Sequence, residues 1–133
     1  MNTEYITNQK FKDSSFFQEF LLNNPGKGNL KIRTFAANEA IPISDVNIIV
    51  STVYDNTKIV FFDGSTDSSG MIDVLSLPTP KLLLDNMEKP NSIIYEVEAI
   101  YKNNSVNQKF SVLMYDGICV LQNINILPNW GNS

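Results

Sequence analysis

The feature that most constrains the fold is an alternation of apolar and polar side chains that begins at Gly28 and recurs along the rest of the chain. It is clearest between Ile94 and Tyr101, where Glu96 and Glu98 separate apolar residues. A period of two sends successive side chains to opposite faces of a β-strand, so one face is buried and the other meets water. From Gly28 onward the sequence therefore predicts packed β-sheets.

Seven segments show this strand pattern, and turn residues (Asn, Asp, Gly or Pro) bound each of them. Strands do not alternate with helices, which argues against a doubly wound α/β sheet. The spacing is typical of an all-β fold, and we expect a seven-stranded antiparallel sandwich of Greek-key type. The predicted strands cover residues 28–34, 46–53, 58–62, 71–75, 94–101, 110–114 and 118–127. The later strands are predicted to point Tyr95, Val97, Ala99, Tyr101, Phe110, Val112, Met114, Ile118, Val120, Ile124 and Ile126 into the core.

The first 27 residues follow a different pattern. About a dozen mostly polar residues predict an extended arm, and the stretch from Ser15 to Leu22 then has helical spacing. Ser15 and Gln18 stand at the capping-box spacing, and Asn23–Gly26 ends the helix. We accordingly divide the chain into an N-terminal arm with a short amphipathic helix (1–27), a β-sandwich (28–128) and a C-terminal tail (129–133).

Apolar side chains near both ends of the chain are the candidate partner-binding residues. A helix of about two turns does not stay folded alone in water, so its apolar stripe must pack on something. Its own sandwich and a neighbouring subunit are both open as that surface. In the tail, Trp130 either folds back on the sandwich or inserts into a partner. The predicted partner-binding residues are Phe16, Phe17, Phe20, Leu21 and Trp130.

Composition excludes several classes of site. The 133 residues include no histidine and one cysteine, Cys119. A zinc site of the His/Cys kind, a disulfide within the chain and a catalytic triad with an imidazole base are therefore excluded. The formal net charge is −4 and no Lys/Arg cluster is present, so we expect no nucleic-acid partner. No apolar run reaches the roughly 20 residues of a membrane-spanning helix, so we expect no membrane partner.

The acidic turn at residues 63–70 does not have the spacing of a calcium loop. A calcium-loop register would put Ser68 where glycine belongs and Val74 where the closing glutamate belongs. Asp67 is instead predicted to make an Asx turn ahead of Gly70, which can adopt a positive φ. We therefore expect no metal site here.

Other polar residues are also better explained as structural residues than as reactive or catalytic groups. Lys31 and either Asn123 or Asn125 are the residue types that form an isopeptide bond. Each of them lies between two inward-facing residues of its strand, so each is predicted to face water. Cys119 has apolar neighbours and is predicted to be a buried or half-buried, inert thiol. Alternating strand acids such as Glu96 normally form a wet face. We expect no catalytic residue and no cofactor.

Four stretches, in order, resemble a known family: Gly28–Ile32, Ala40–Ile48, Thr66–Gly70 and Tyr95–Val97. The family is the carboxypeptidase-regulatory or transthyretin-like (prealbumin-like) β-sandwich, which carries Gly-x-Leu/Val-x-Val, Pro-Ile/Leu-x-x-Ala-x-Val, Thr-Asp-x-x-Gly and Tyr-x-Val. In the second stretch Asp45 and Val46 are adjacent, where the family has alanine and a spacer. Segments 75–80 and 122–128 resemble the variety found beside clostridial spore-cortex-lytic enzymes and in phage particle proteins. The resemblance implies a non-catalytic module that stiffens, spaces or attaches other domains.

Two functions remain open at this point. The first is a non-enzymatic structural or assembly module, such as a phage tail, baseplate or contractile-injection component, which docks through its N-terminal arm on other subunits or on copies of itself. Because the N-terminus shows no signal peptide, the expected location is a virion or particle assembled in the bacterial cytoplasm. The second is a peptidoglycan- or glycan-associated accessory module of a spore or cell-wall hydrolase. It requires an exposed aromatic platform, for which Tyr54, Tyr101 and Tyr115 are the candidates.

Overall fold

The computed structural model describes residues 4–5, 14–36, 40–83, 91–102 and 106–126. In these ranges the chain forms nine strands and one helix, which confirms the all-β class. The helix is α1 (Ser15–Asn23). The strands are β1 (Glu4–Tyr5), β2 (Gly26–Ala36), β3 (Ile41–Pro42), β4 (Asn47–Tyr54), β5 (Thr57–Ser65), β6 (Leu75–Thr79), β7 (Ile93–Tyr101), β8 (Val106–Met114) and β9 (Cys119–Asn125).

The strands form two sheets. Sheet I has the order β1-β5-β4-β7-β8. In sheet II, β6 and β3 pair with successive parts of β2, and β9 pairs with the opposite edge of β2. Most pairings are antiparallel, as expected, but β1 is parallel to β5 and β9 is parallel to β2.

The parallel pairing of β9 follows from where the chain changes sheet. The turn after β8 lies at the start of β2, because Gly117 donates its backbone N–H to the carbonyl of Lys27 (2.8 Å) and Asn29 donates to the carbonyl of Ile118 (3.0 Å). Strands β2 and β9 therefore begin at the same end of the sandwich and run in the same direction.

The main core lies between the two sheets. Leu30 and Ile32 of β2 and the row Tyr95, Val97 and Ala99 of β7 are all fully buried. Val112, Met114, Ile124 and Ile126 join them, so most of the inward rows predicted from alternation are confirmed. The hydroxyl of Tyr95 donates to the carbonyl of Pro78 across the core (2.7 Å), which satisfies its buried polar group.

The hairpin between β4 and β5 contains an irregularity that matters for the helix. Its two turn residues, Asp55 and Asn56, have φ values of 50° and 62°, which is the conformation that a two-residue hairpin turn requires. Further along, the register shifts, so that Val50 pairs with Phe62 and Ser51 pairs with Val60. Phe61 is the extra residue of this β-bulge.

Strand prediction was wrong at the fourth strand. The observed strand β6 begins at Leu75 and includes Pro78, whereas the sequence placed a strand at 71–75 and ended it at the prolines. Proline is tolerated because, among the described residues, β6 is an edge strand that pairs only with β2. Of the predicted strand, Met71 makes an isolated bridge to Arg33, and Leu75 is the first residue of β6, where it pairs with Leu30.

The inward orientation predicted for Ile118 was also wrong, and so was the burial predicted for Cys119. Both side chains are exposed. Gly117 has a φ of 78°, and Ile118 still belongs to the turn because its N–H bonds to the carbonyl of Tyr115 (3.2 Å). Strand β9 begins only at Cys119, which pairs with Asn29 on the outer face.

Candidate functional site

Helix α1 packs on its own sandwich. Ser14 is the N-cap, and its Oγ accepts a hydrogen bond from the backbone N–H of Phe17 (3.2 Å). The cap therefore stands one residue before the predicted Ser15. Phe17 and Phe20 are buried and form a second core cluster with Ile59 of β5. Of the two surfaces left open by the sequence, the helix thus covers its own sheet.

Phe61 connects this second cluster with the main core. Its ring centroid lies 5.9 Å from that of Phe20 and 5.5 Å from that of Tyr95. Phe20 also meets Tyr54 edge to face at 5.3 Å. Such aromatic pairs add to the stabilisation by burial alone. The β-bulge that supplies Phe61 therefore couples the helix to the sandwich.

Polar contacts hold the exposed side of the helix. Tyr54 donates its hydroxyl hydrogen to Glu19 Oε2 (2.8 Å) and accepts a hydrogen bond from Asn23 Nδ2 (2.8 Å). The hydrogen bond to Glu19 raises the pKa of Tyr54, because it stabilises the protonated phenol. At the end of the helix, Asn24 Nδ2 donates to the carbonyl of Phe20 (2.9 Å).

The structure places the predicted partner-binding residues as follows. Phe17 and Phe20 are buried within the chain, and Phe16 and Leu21 are half-buried against the same cluster. Trp130 lies outside the described residues. Partner binding by these five residues stays a prediction, and any contact that uses Phe17 or Phe20 requires the helix to leave its own sheet.

Asp116 joins three segments at one end of the sandwich. Its Oδ2 accepts a hydrogen bond from the backbone N–H of Leu82 (3.1 Å), and its Oδ1 accepts one from the backbone N–H of Lys27 (3.1 Å). These two donors hold the pKa of the Asp116 carboxyl below its usual value. A Cβ on Gly26 would lie 2.7 Å from Asp116 Cγ, so this close approach requires glycine.

We expect Asp116→Asn to lower the melting temperature at neutral pH and to lose this effect in acid. A carboxyl whose pKa is lower in the folded than in the unfolded chain stabilises the fold above its ordinary pKa of 3.8. That stabilisation disappears as the pH falls through the lower pKa of the folded state. Thermal unfolding followed by circular dichroism across this range measures the effect. Asp73→Asn, at an exposed position, is the control, and a difference that does not change with pH would contradict the prediction.

The Asx turn predicted at Asp67 is confirmed. Asp67 Oδ1 accepts hydrogen bonds from the backbone N–H groups of Ser69 (2.8 Å) and Met71 (3.1 Å). Gly70 has a φ of 75°. No group of three or more His, Cys, Asp or Glu residues in the described ranges is placed to hold a metal ion. Lys31, Asn123 and Asn125 are exposed, as their alternation predicted.

A groove of about 560 Å³ crosses the outer face of sheet I, the face turned away from sheet II. Four aliphatic residues line it, of which Ile93 is half-buried and three are exposed: Val53 is 68% exposed, Ile94 is 56% exposed and Leu113 is 48% exposed. Lys58 and Glu96 lie on the same groove. This surface was not predicted from the sequence. The signal was available, because Ile94 and Leu113 occupy outward positions of their strands, where a polar side chain is usual.

The aromatic platform required by the glycan-binding alternative is not favoured. Tyr54, Tyr101 and Tyr115 are each half-buried. The hydroxyl of Tyr54 is engaged by the helix, and the ammonium group of Lys102 lies 5.3 Å from the centre of the Tyr101 ring. Every aromatic side chain in the described ranges between Phe16 and Tyr115 is buried or half-buried.

The described part of the chain contains no helix that is long and apolar enough to cross a membrane. Comparison with protein-family models gives no match for the chain. A search of curated proteins gives no significant match either.

Proposed function

We propose that the chain is a non-enzymatic assembly module of a larger protein particle, and that the arm before helix α1 reaches a neighbouring subunit. The observation that carries this proposal is the pairing of β1. Among the residues that the structure describes, this strand adds in parallel to the edge of sheet I through Glu4 and Tyr5, opposite Ile59 and Val60. An extended segment paired at a sheet edge exchanges for the same segment of a neighbour without loss of backbone hydrogen bonds, because those bonds are equivalent.

The position of the helix supports the same proposal, and it moves the proposed contact with a neighbour from the helix to the arm. Phe17 and Phe20 are buried in the chain's own core, so α1 fixes the base of the arm to the sandwich. The contact with a neighbour is therefore assigned to residues 1–13 rather than to the helix stripe. An arm of this kind adds contact area at an ordering cost that an assembled particle offsets.

The finer fold that we propose is a transthyretin-like Greek-key sandwich. Seven strands have five or more residues, and they divide into four in sheet I and three in sheet II. This number agrees with the seven strands of the sequence pattern. A phage tail, baseplate or contractile-injection particle, assembled in the bacterial cytoplasm, is the proposed setting.

Deletion of residues 1–13 tests the role of the arm. We expect the truncated chain to remain folded, since the deletion removes only β1 from the described elements, and to lose the species heavier than a dimer that the full chain forms. Light scattering coupled to size exclusion measures the mass, and circular dichroism checks the fold. Deletion of residues 1–3 keeps β1 and serves as the control.

Two outcomes would count against the proposal. Identical masses with and without residues 1–13 would show that the arm does not assemble the chain with itself. An unfolded truncated chain would show that the arm is an integral part of the sandwich.

A further inference from the structure

We draw no further inference here: the strongest candidate, the groove on the outer face of sheet I lined by Val53, Ile94 and Leu113, is an exposed apolar surface, and nothing in the described part of the chain shows what covers it.

Discussion

Replacing Phe20 with alanine is expected to lower the free energy of unfolding by about 3–5 kcal/mol. Phe20 is fully buried and forms the centre of the helix cluster. Its ring meets Phe61 at 5.9 Å and Tyr54 at 5.3 Å, so truncation leaves a cavity between α1 and sheet I. Because a domain of this size is stable by only about 5–15 kcal/mol, the loss is a large fraction of the total.

Urea unfolding followed by far-ultraviolet circular dichroism measures the effect of Phe20→Ala. Leu22→Ala is the matched control, because Leu22 is on the same helix but 80% exposed, and its replacement is expected to change stability by less than about 0.5 kcal/mol. A loss below about 1 kcal/mol for Phe20→Ala would mean that the helix is not docked on sheet I. The same docking implies that deletion of residues 1–27, unlike deletion of residues 1–13, destabilises the sandwich.

Alternation predicted the regular strands well because each of them buries every second side chain. The rows at Leu30 and Ile32, and at Tyr95 and Val97, lie in long stretches without a bulge. One face of each meets the core along its whole length. Local pattern and tertiary burial therefore agree, and the pattern alone identifies the inward residues.

Prediction failed where a residue's orientation depends on a distant strand. The bulge at Phe61 exists because Val50 and Ser51 of β4 pair with residues on either side of it, and no local pattern reveals this register. Pro78 stays within a strand because β6 has β2 on one side only among the described residues. Ile118 is exposed because the turn beside it docks on the start of β2. In each case the deciding contact is remote in sequence.

The candidate site was predicted in part for the same reason. Helical spacing identified the stripe that contains Phe17 and Phe20, but its packing partners Ile59 and Phe61 lie about forty residues further along. The stripe alone did not distinguish the chain's own sheet from a neighbour's. The groove was missed because its three exposed aliphatic residues come from three different strands, and only the order of those strands in sheet I brings them to one surface.

Replacing Gly70 with alanine is expected to lower the free energy of unfolding by about 2–5 kcal/mol, for two separable reasons. The φ of 75° at Gly70 is a left-handed conformation, which costs an alanine about 1–2 kcal/mol. In addition, the new Cβ would meet the carbonyl oxygen of Thr34 far inside van der Waals contact. That oxygen belongs to β2, so relief of the clash requires the two backbones to separate.

The separation would disturb a buried set of hydrogen bonds. Thr34 donates its backbone N–H to the carbonyl of Gly70 (2.7 Å) and its hydroxyl hydrogen to the carbonyl of Ile43 (2.7 Å). Thr66 donates its hydroxyl hydrogen to the same Ile43 carbonyl (2.9 Å). Both threonines are buried, so any partner that moves away leaves a polar group unsatisfied inside the protein.

Gly117→Ala separates the two causes. Gly117 has nearly the same φ, 78°, but a Cβ there would meet no atom within 4 Å. Its replacement is therefore expected to show only the conformational cost of about 1–2 kcal/mol. The difference between the two variants in urea unfolding then measures what the approach of Gly70 to β2 contributes. Equal losses would contradict the argument, because they would mean that β2 accommodates the added methyl group without strain.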